Sequence, residues 1–268
     1  FEQVYPEIKQ RLLQTKTHNV LFNLDQCSYA HVSTNIIRDI MHSWKNAEII
    51  LTFMISSLLA FLSPDKEKSG VPLEGRLQEK VDAILDDENL LNKKEWLGEA
   101  EKIVHTYLKA CAPHVSPFSI NNPNGWRYWL MHFANSYRAR QVYNNVLHED
   151  SETQAHFGRA GLNMLSYGSS NSLYLFDNDS RKAAIEALQD DIPRLVGQAG
   201  DTLPIAEFYE MAYSETPAHS EDIHHVMIDN PDLEIITDNG GIRRKANTIK
   251  ATDTLKLTKQ RHIIFTFK

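Results

Sequence analysis

The chain has 268 residues, 42% of them hydrophobic and 24% charged, an ordinary soluble globular composition with enough length to bury one large core or two smaller ones. Its formal net charge of −7 argues against nucleic acid coating the whole surface but leaves room for a local basic patch. Two cysteines, Cys27 and Cys111, with no CxxC pair, argue against a thiolate zinc site and for a reduced, cytoplasmic setting, and neither a membrane-length apolar run nor a signal peptide is found.

The chain opens at Phe1 in what reads as the tail of a connection. Tyr5-Pro6-Glu7 followed by Ile8, Leu12 and Leu13 predicts a helix with proline in its first turn. Asn19–Tyr29 (NVLFNLDQCSY) then carries a short apolar run ending in Asn23, Asp25, Gln26 and Tyr29. This is the pattern of a buried strand whose carboxyl end holds the chemistry, since ligands of open α/β sheets sit there. Asp25, Gln26 and Tyr29 are the candidate catalytic residues; a carboxylate and a carboxamide orient a substrate or move a proton. The alternative is that Asp25 caps the next helix. Val32–Lys45 has Ile36, Ile37, Ile40, Met41 and Trp44 at helical spacing, with Ser33 or Thr34 as cap, and Ala47–Ser56 is an almost continuously apolar strand. Strand, helix, strand is one right-handed βαβ unit. No GxGxxG and no P-loop is present, so the first strand of such a fold, with its glycine loop, is expected upstream of Phe1.

Pro64–Pro72 is a turn-rich loop, and the acidic run Asp86-Asp87-Glu88 reads as a solvated face. Lys93–Cys111 predicts a helix stopped by Pro113, Ser119–Gly125 a loop, Trp126–Ala134 a third buried strand and Tyr137–His148 a helix. On that helix Arg138 and Arg140 either bind phosphate or are solvated, solvation being the simpler reading. Gln154–Gly168 (QAHFGRAGLNMLSYG) sets His156, Arg159 and Asn163 among three glycines. That is how a substrate- or anion-binding loop looks, although a lone His and a lone Arg also serve as structural hydrogen-bond partners.

Asn19–Tyr29, the strand through Met54, WRYWLMHFA with its following helix, AHFGRAGLNMLSYG and the C-terminal GIRRKANTIKATDTLKL resemble, in that order, the three-Cys-motif partner protein family (TcmP). The resemblance runs from about Val20 onward and implies a Rossmann-like, methyltransferase-like fold whose N-terminal portion is missing here. It implies a partner that resembles radical enzymes using S-adenosylmethionine. Asp25-Gln26 would take the place of a substrate-facing Asp/Asn-Pro-Pro motif, of which this chain lacks both prolines. S-adenosylmethionine would be a cofactor only if the upstream part supplies the glycine loop.

The last third changes texture. Arg181–Val196, Leu203–Tyr213 and Ser220–Ile228 read as helices, and Leu233–Thr237 with Thr254–Leu257 or His262–Phe267 as short strands around the turn Asp238-Asn239-Gly240. Helix, helix, turn, helix and hairpin predict a winged-helix-like domain over residues 179–268, behind a Rossmann-like domain over 1–178. Arg243, Arg244, Lys245 and Lys250 are the candidate nucleic-acid-binding residues, with Lys256, Lys259, Arg261 and Lys268 beyond them and Asp253 the lone acid among them. The proposed recognition helix SEDIHHVMI carries Glu221 and Asp222 and no Lys or Arg. His219, His224 and His225 follow no known metal-ligand spacing, and no metal is assigned. Two functions stay open: a methyltransferase-like protein acting on or binding nucleic acid, or a non-enzymatic adaptor docking a partner through its winged helix.

Overall fold

A computed structural model describes residues 1–25, 32–54, 103–121, 127–149, 154–156 and 178–258; residues 119–121, 127 and 154–156 are described by their backbone alone. The chain divides into two compact units, the first containing the described residues through His156 and the second residues 178–258.

The first unit is built on a five-stranded sheet. Its elements are α1 (Tyr5–Gln14), β1 (Asn19–Leu24), α2 (Thr34–Ser43), β2 (Asn46–Phe53), helical residues 103–109, β3 (His114–Asn121), β4 (Arg127–Ala134), α3 (Tyr137–Glu149) and β5 (Gln154–His156). Pro6 sits in the first turn of α1, where its missing N–H costs nothing. Ser33 takes the N-cap position of α2 without a side-chain cap bond; its N–H is instead bound by the Glu2 carboxylate at 2.8 Å.

The strand order is β1-β2-β4-β3-β5. β1 and β2 are parallel, pairing Asn19 with Asn46 through Leu24 with Leu51, as expected of a βαβ unit. The three predicted strands do share one sheet, but it is mixed rather than mostly parallel. β4 runs antiparallel to both β2 and β3, and β5 antiparallel to β3. The reason is a strand absent from the sequence reading. The expected elements left His114–Phe118 unassigned after the stop at Pro113 and placed Ser119–Asn121 in a loop, whereas His114–Asn121 forms β3. Pro117 pairs opposite Met131, and β5 joins β3 only from Phe118 onward, so the proline falls where β3 has no second neighbour among the described residues. β3 and β4 form a hairpin whose return strand inserts beside β2.

One face of the sheet is apolar. Val20 and Leu24, then Ala47, Ile49, Leu51 and Phe53, then Trp129, Met131 and Phe133 pack on Ile37, Ile40, Met41 and Trp44 of α2 and on Val104 and Leu108. Each such fully buried aliphatic side chain is worth about 1.5–3 kcal/mol. β2 alternates buried and half-buried positions, so its second face is only partly covered. α1 is tied to α2 by polar contacts: the Tyr5 hydroxyl donates to Asp39 at 2.5 Å and Lys9 Nζ reaches the same carboxylate at 2.7 Å.

The second unit contains α4 (Asn178–Gln198), β6 (Thr202–Pro204), α5 (Ile205–Tyr213), α6 (Ser220–Asp229), β7 (Leu233–Ile236), a 3-10 turn at Ala246–Thr248 and β8 (Thr254–Leu257). Its sheet is antiparallel in the order β6-β8-β7. The segment read as one helix from Leu203 thus begins as a strand, and Pro204 at the N-cap of α5 marks the change. Ala184, Leu188, Ile192 and Val196 of α4 form the buried stripe of a helix, and Phe208, Ala212, Ile223, Val226, Ile235 and Leu255 are likewise buried in this unit. Helix, strand, helix, helix, strand, wing, strand is a winged helix.

Candidate nucleic-acid interface

The wing is the segment between β7 and β8. It leaves β7 through a tight turn in which Gly240 N–H donates to Thr237 O and Thr237 N–H to Gly241 O, both at 2.8 Å. Gly240 has φ +78°, a left-handed conformation that glycine adopts without strain. Arg243 N–H then returns to Ile235 O at 2.9 Å.

At its far end the wing closes on Asp253. This carboxylate, 1% exposed, accepts both Nε of Arg243 at 2.8 Å and Nη2 at 3.0 Å, and also the backbone N–H of Lys250 at 2.8 Å. Its own carbonyl accepts the N–H of Ile205 at the start of α5. Burial alone would raise the Asp253 carboxyl, but the hydrogen bonds from Arg243 and Lys250 win and hold it below the usual carboxylate range. Asp253 is therefore the peg on which the wing hangs. The sequence marks Asp253 as the lone acid in a basic run but gives no sign of its role.

Of the four basic residues expected to meet nucleic acid, Arg243 is engaged in this bidentate pair. Arg244, Lys245 and Lys250 are exposed, and among the described residues no ion pair is formed by them. Lys245 and Lys250 stand on either side of the 3-10 turn. Lys256 is exposed on β8; Lys259, Arg261 and Lys268 lie outside the described residues.

The helix in the recognition position, α6, differs in character. Its buried side holds Ile223, Val226 and Met227. Asp222 is also turned inward, where Arg181 of α4 grips it with two hydrogen bonds of 2.7 Å. The exposed positions are Glu221, His225 and Asp229. His219 caps the helix, its Nδ1 accepting from Glu221 N–H at 3.2 Å. His224 meets the Tyr209 hydroxyl at 2.8 Å, and burial, with His225 next, pushes its pKa down to about 4. Asn230 ends the helix, binding the Gln189 carbonyl of α4 and accepting from Asp232 N–H.

In the first unit Asp25 follows directly on the last residue of β1, at the carboxyl end of the strand, and its side chain is exposed. Gln26, Tyr29, Arg159 and Asn163 lie outside the described residues. His156 ends β5, opposite Phe118. β5 is four strands from β1, about 19 Å at the usual strand spacing, so the sheet does not bring Asp25 and His156 together.

What sequence reading missed in this unit is a buried polar layer on the second sheet face, under α3. Arg140 is not solvated: it is 1% exposed, whereas Arg138 stays exposed as expected. His132 Nε2 meets Glu48 at 3.2 Å, and its ring stacks on Tyr143 at 4.2 Å. His114, Ser116 and Asn144 are buried as well. Burial, with the charges of Lys109 and Arg140, pushes His105 down to about 3; burial lowers His132 too, against the pull of Glu48. A helix with Arg, Gln and Asn on its inner side has no apolar stripe to announce burial.

Among known protein families, the one described as a GMT-like wHTH domain matches residues 165–240. No curated protein matches the chain. No solved structure matches it. The match covers α4 through β7 and agrees with the winged helix seen in the coordinates. Among the described residues no helix is long and apolar enough to cross a membrane.

Proposed function

We propose that this chain binds nucleic acid through its C-terminal winged helix, and that the first unit is a methyltransferase-like domain acting with a three-Cys-motif partner. The first half of the proposal rests on a single observation: a winged helix whose wing presents Arg244, Lys245 and Lys250 to solvent. Cations on such a hairpin neutralise phosphates and release counterions. The test is fluorescence anisotropy of the full chain against labelled duplexes over a range of salt. Affinity should fall steeply as salt rises; affinity indifferent to salt would remove the reading.

The second half rests on the resemblance carried by Asn19–Tyr29 and AHFGRAGLNMLSYG, with the parallel pair β1 and β2 and Asp25 at its carboxyl rim in support. In this reading Asp25, Gln26 and Tyr29 face the substrate, and His156, Arg159 and Asn163 hold an anionic group. S-adenosylmethionine is the cofactor to test. The competing reading, an adaptor without chemistry, keeps the winged helix and drops the cofactor. Calorimetry with S-adenosylmethionine separates them: heat of binding favours the enzyme, and its absence in the intact protein favours the adaptor.

A further inference from the structure

We infer that the winged helix grips duplex DNA by its wing and keeps α6, the helix in the recognition position, out of the major groove; this deepens the nucleic-acid reading above and rests on it. In a helix-turn-helix module the N-terminal residues of the second helix reach base edges, between two rows of phosphates. Here those residues are Glu221 and Asp222, and no Lys or Arg occurs anywhere in Ser220–Asp229. Asp222 is locked inward on Arg181. What α6 offers outward is Glu221, His225 and Asp229, one acidic residue at each end of the exposed stripe. A helix so charged meets phosphate with repulsion, and only its single exposed imidazole could donate to a base edge.

The wing has the opposite sign and is built to keep its shape. Arg243 and Asp253 close its base, Asp253 also holds Lys250 N–H, and Thr248 N–H returns to Lys245 O at 3.1 Å. The guanidinium engaged in this staple leaves Arg244, Lys245 and Lys250 as the outward cations. Arg243 is thus a positioning residue, and the three after it are the phosphate contacts. Binding of this kind fixes the protein on a backbone and reads little sequence.

The experiment uses the full chain and short B-form duplexes of one defined sequence and of its shuffled versions. Arg244→Ala, Lys245→Ala and Lys250→Ala should each weaken binding several-fold and each lower the slope of log affinity against log salt by about 0.9. His225→Ala should change neither quantity, Glu221→Gln should leave affinity equal or higher, and shuffled duplexes should bind as well as the original. Asp253→Asn should weaken binding as the wing variants do without moving α6, which the near-ultraviolet dichroism of the folded protein reports. The inference is overturned by a loss of tenfold or more in His225→Ala with the wing variants unaffected, or by a preference of about a hundredfold for one sequence. Failure of the unaltered chain to bind any duplex at low salt instead removes the nucleic-acid reading itself, and this one with it.

Discussion

Single residues decide two of the measurable properties of this chain. His105 is neutral in the folded protein down to about pH 3, because burial and the nearby cations Lys109 and Arg140 oppose its charged form. In the unfolded chain it takes up a proton near about pH 6.5. The unfolded state therefore gains the proton first, and stability falls as pH drops from about 6.5 towards 3, by up to about 1.4 kcal/mol per pH unit for this one group. His132, also lowered, adds to the effect in the same direction. Urea unfolding followed by tryptophan fluorescence between about pH 7 and about pH 5 measures the slope, and His105→Leu should flatten it. An unchanged slope in that variant would show that the imidazole is not the group responsible. Asp253 works in the other sense: its lowered carboxyl supports the second unit above the unfolded carboxylate range and loses that support as pH falls through the folded value. Asp253→Ala removes three hydrogen bonds to an ionised carboxylate and should cost the winged helix about 1.5–3 kcal/mol. Tyr5→Phe deletes the bond to Asp39 and should cost about 1 kcal/mol, read as a fall in the unfolding midpoint.

At the level of elements, periodicity made most of the fold legible. α1, α2, β1, β2 and β4 appear within a few residues of their expected bounds, because each has a clear apolar run or stripe, and α3 does so without one. The pairing of those strands was not legible. Direction in a sheet depends on how many strands intervene, and the strand with proline at its middle was not anticipated: His114–Phe118 had no assigned element and Ser119–Asn121 fell in an expected loop. Finding β3 turns β4 antiparallel and the sheet mixed. β6 was hidden for a similar reason: three residues ending in proline carry no period of their own. The winged helix was easier, since its three helices and turn residues each have a local signature. In the candidate site the charge of the wing was readable, but not the division of labour within it. Only the fold shows that Arg243 turns to Asp253 while its neighbour Arg244 turns to water. The buried layer of Arg140, His132 and Tyr143 lies beyond sequence reading too, since polar side chains on a helix ordinarily mark its wet side.

For the molecule as a whole, a net charge of −7 and a basic wing act against each other. Long-range repulsion of a duplex by the acidic bulk is screened within about 10 Å at ordinary salt, whereas contact at the wing is local. Association should accordingly be slow at very low salt relative to a basic winged helix of the same size, which stopped-flow mixing can measure. An association rate that keeps climbing as salt is withdrawn would mean that the wing's field dominates the approach.

Among the described residues β1 pairs with β2 alone, and its Leu21 is 63% exposed. A strand edge left open in this way, beside an exposed leucine, invites another strand to lie alongside. Whatever this polypeptide meets there, it will be held by backbone pairing before any side chain is consulted. Handled by itself at high concentration, it should stick to its own kind along that border, and Leu21→Lys should keep the particles apart in light scattering.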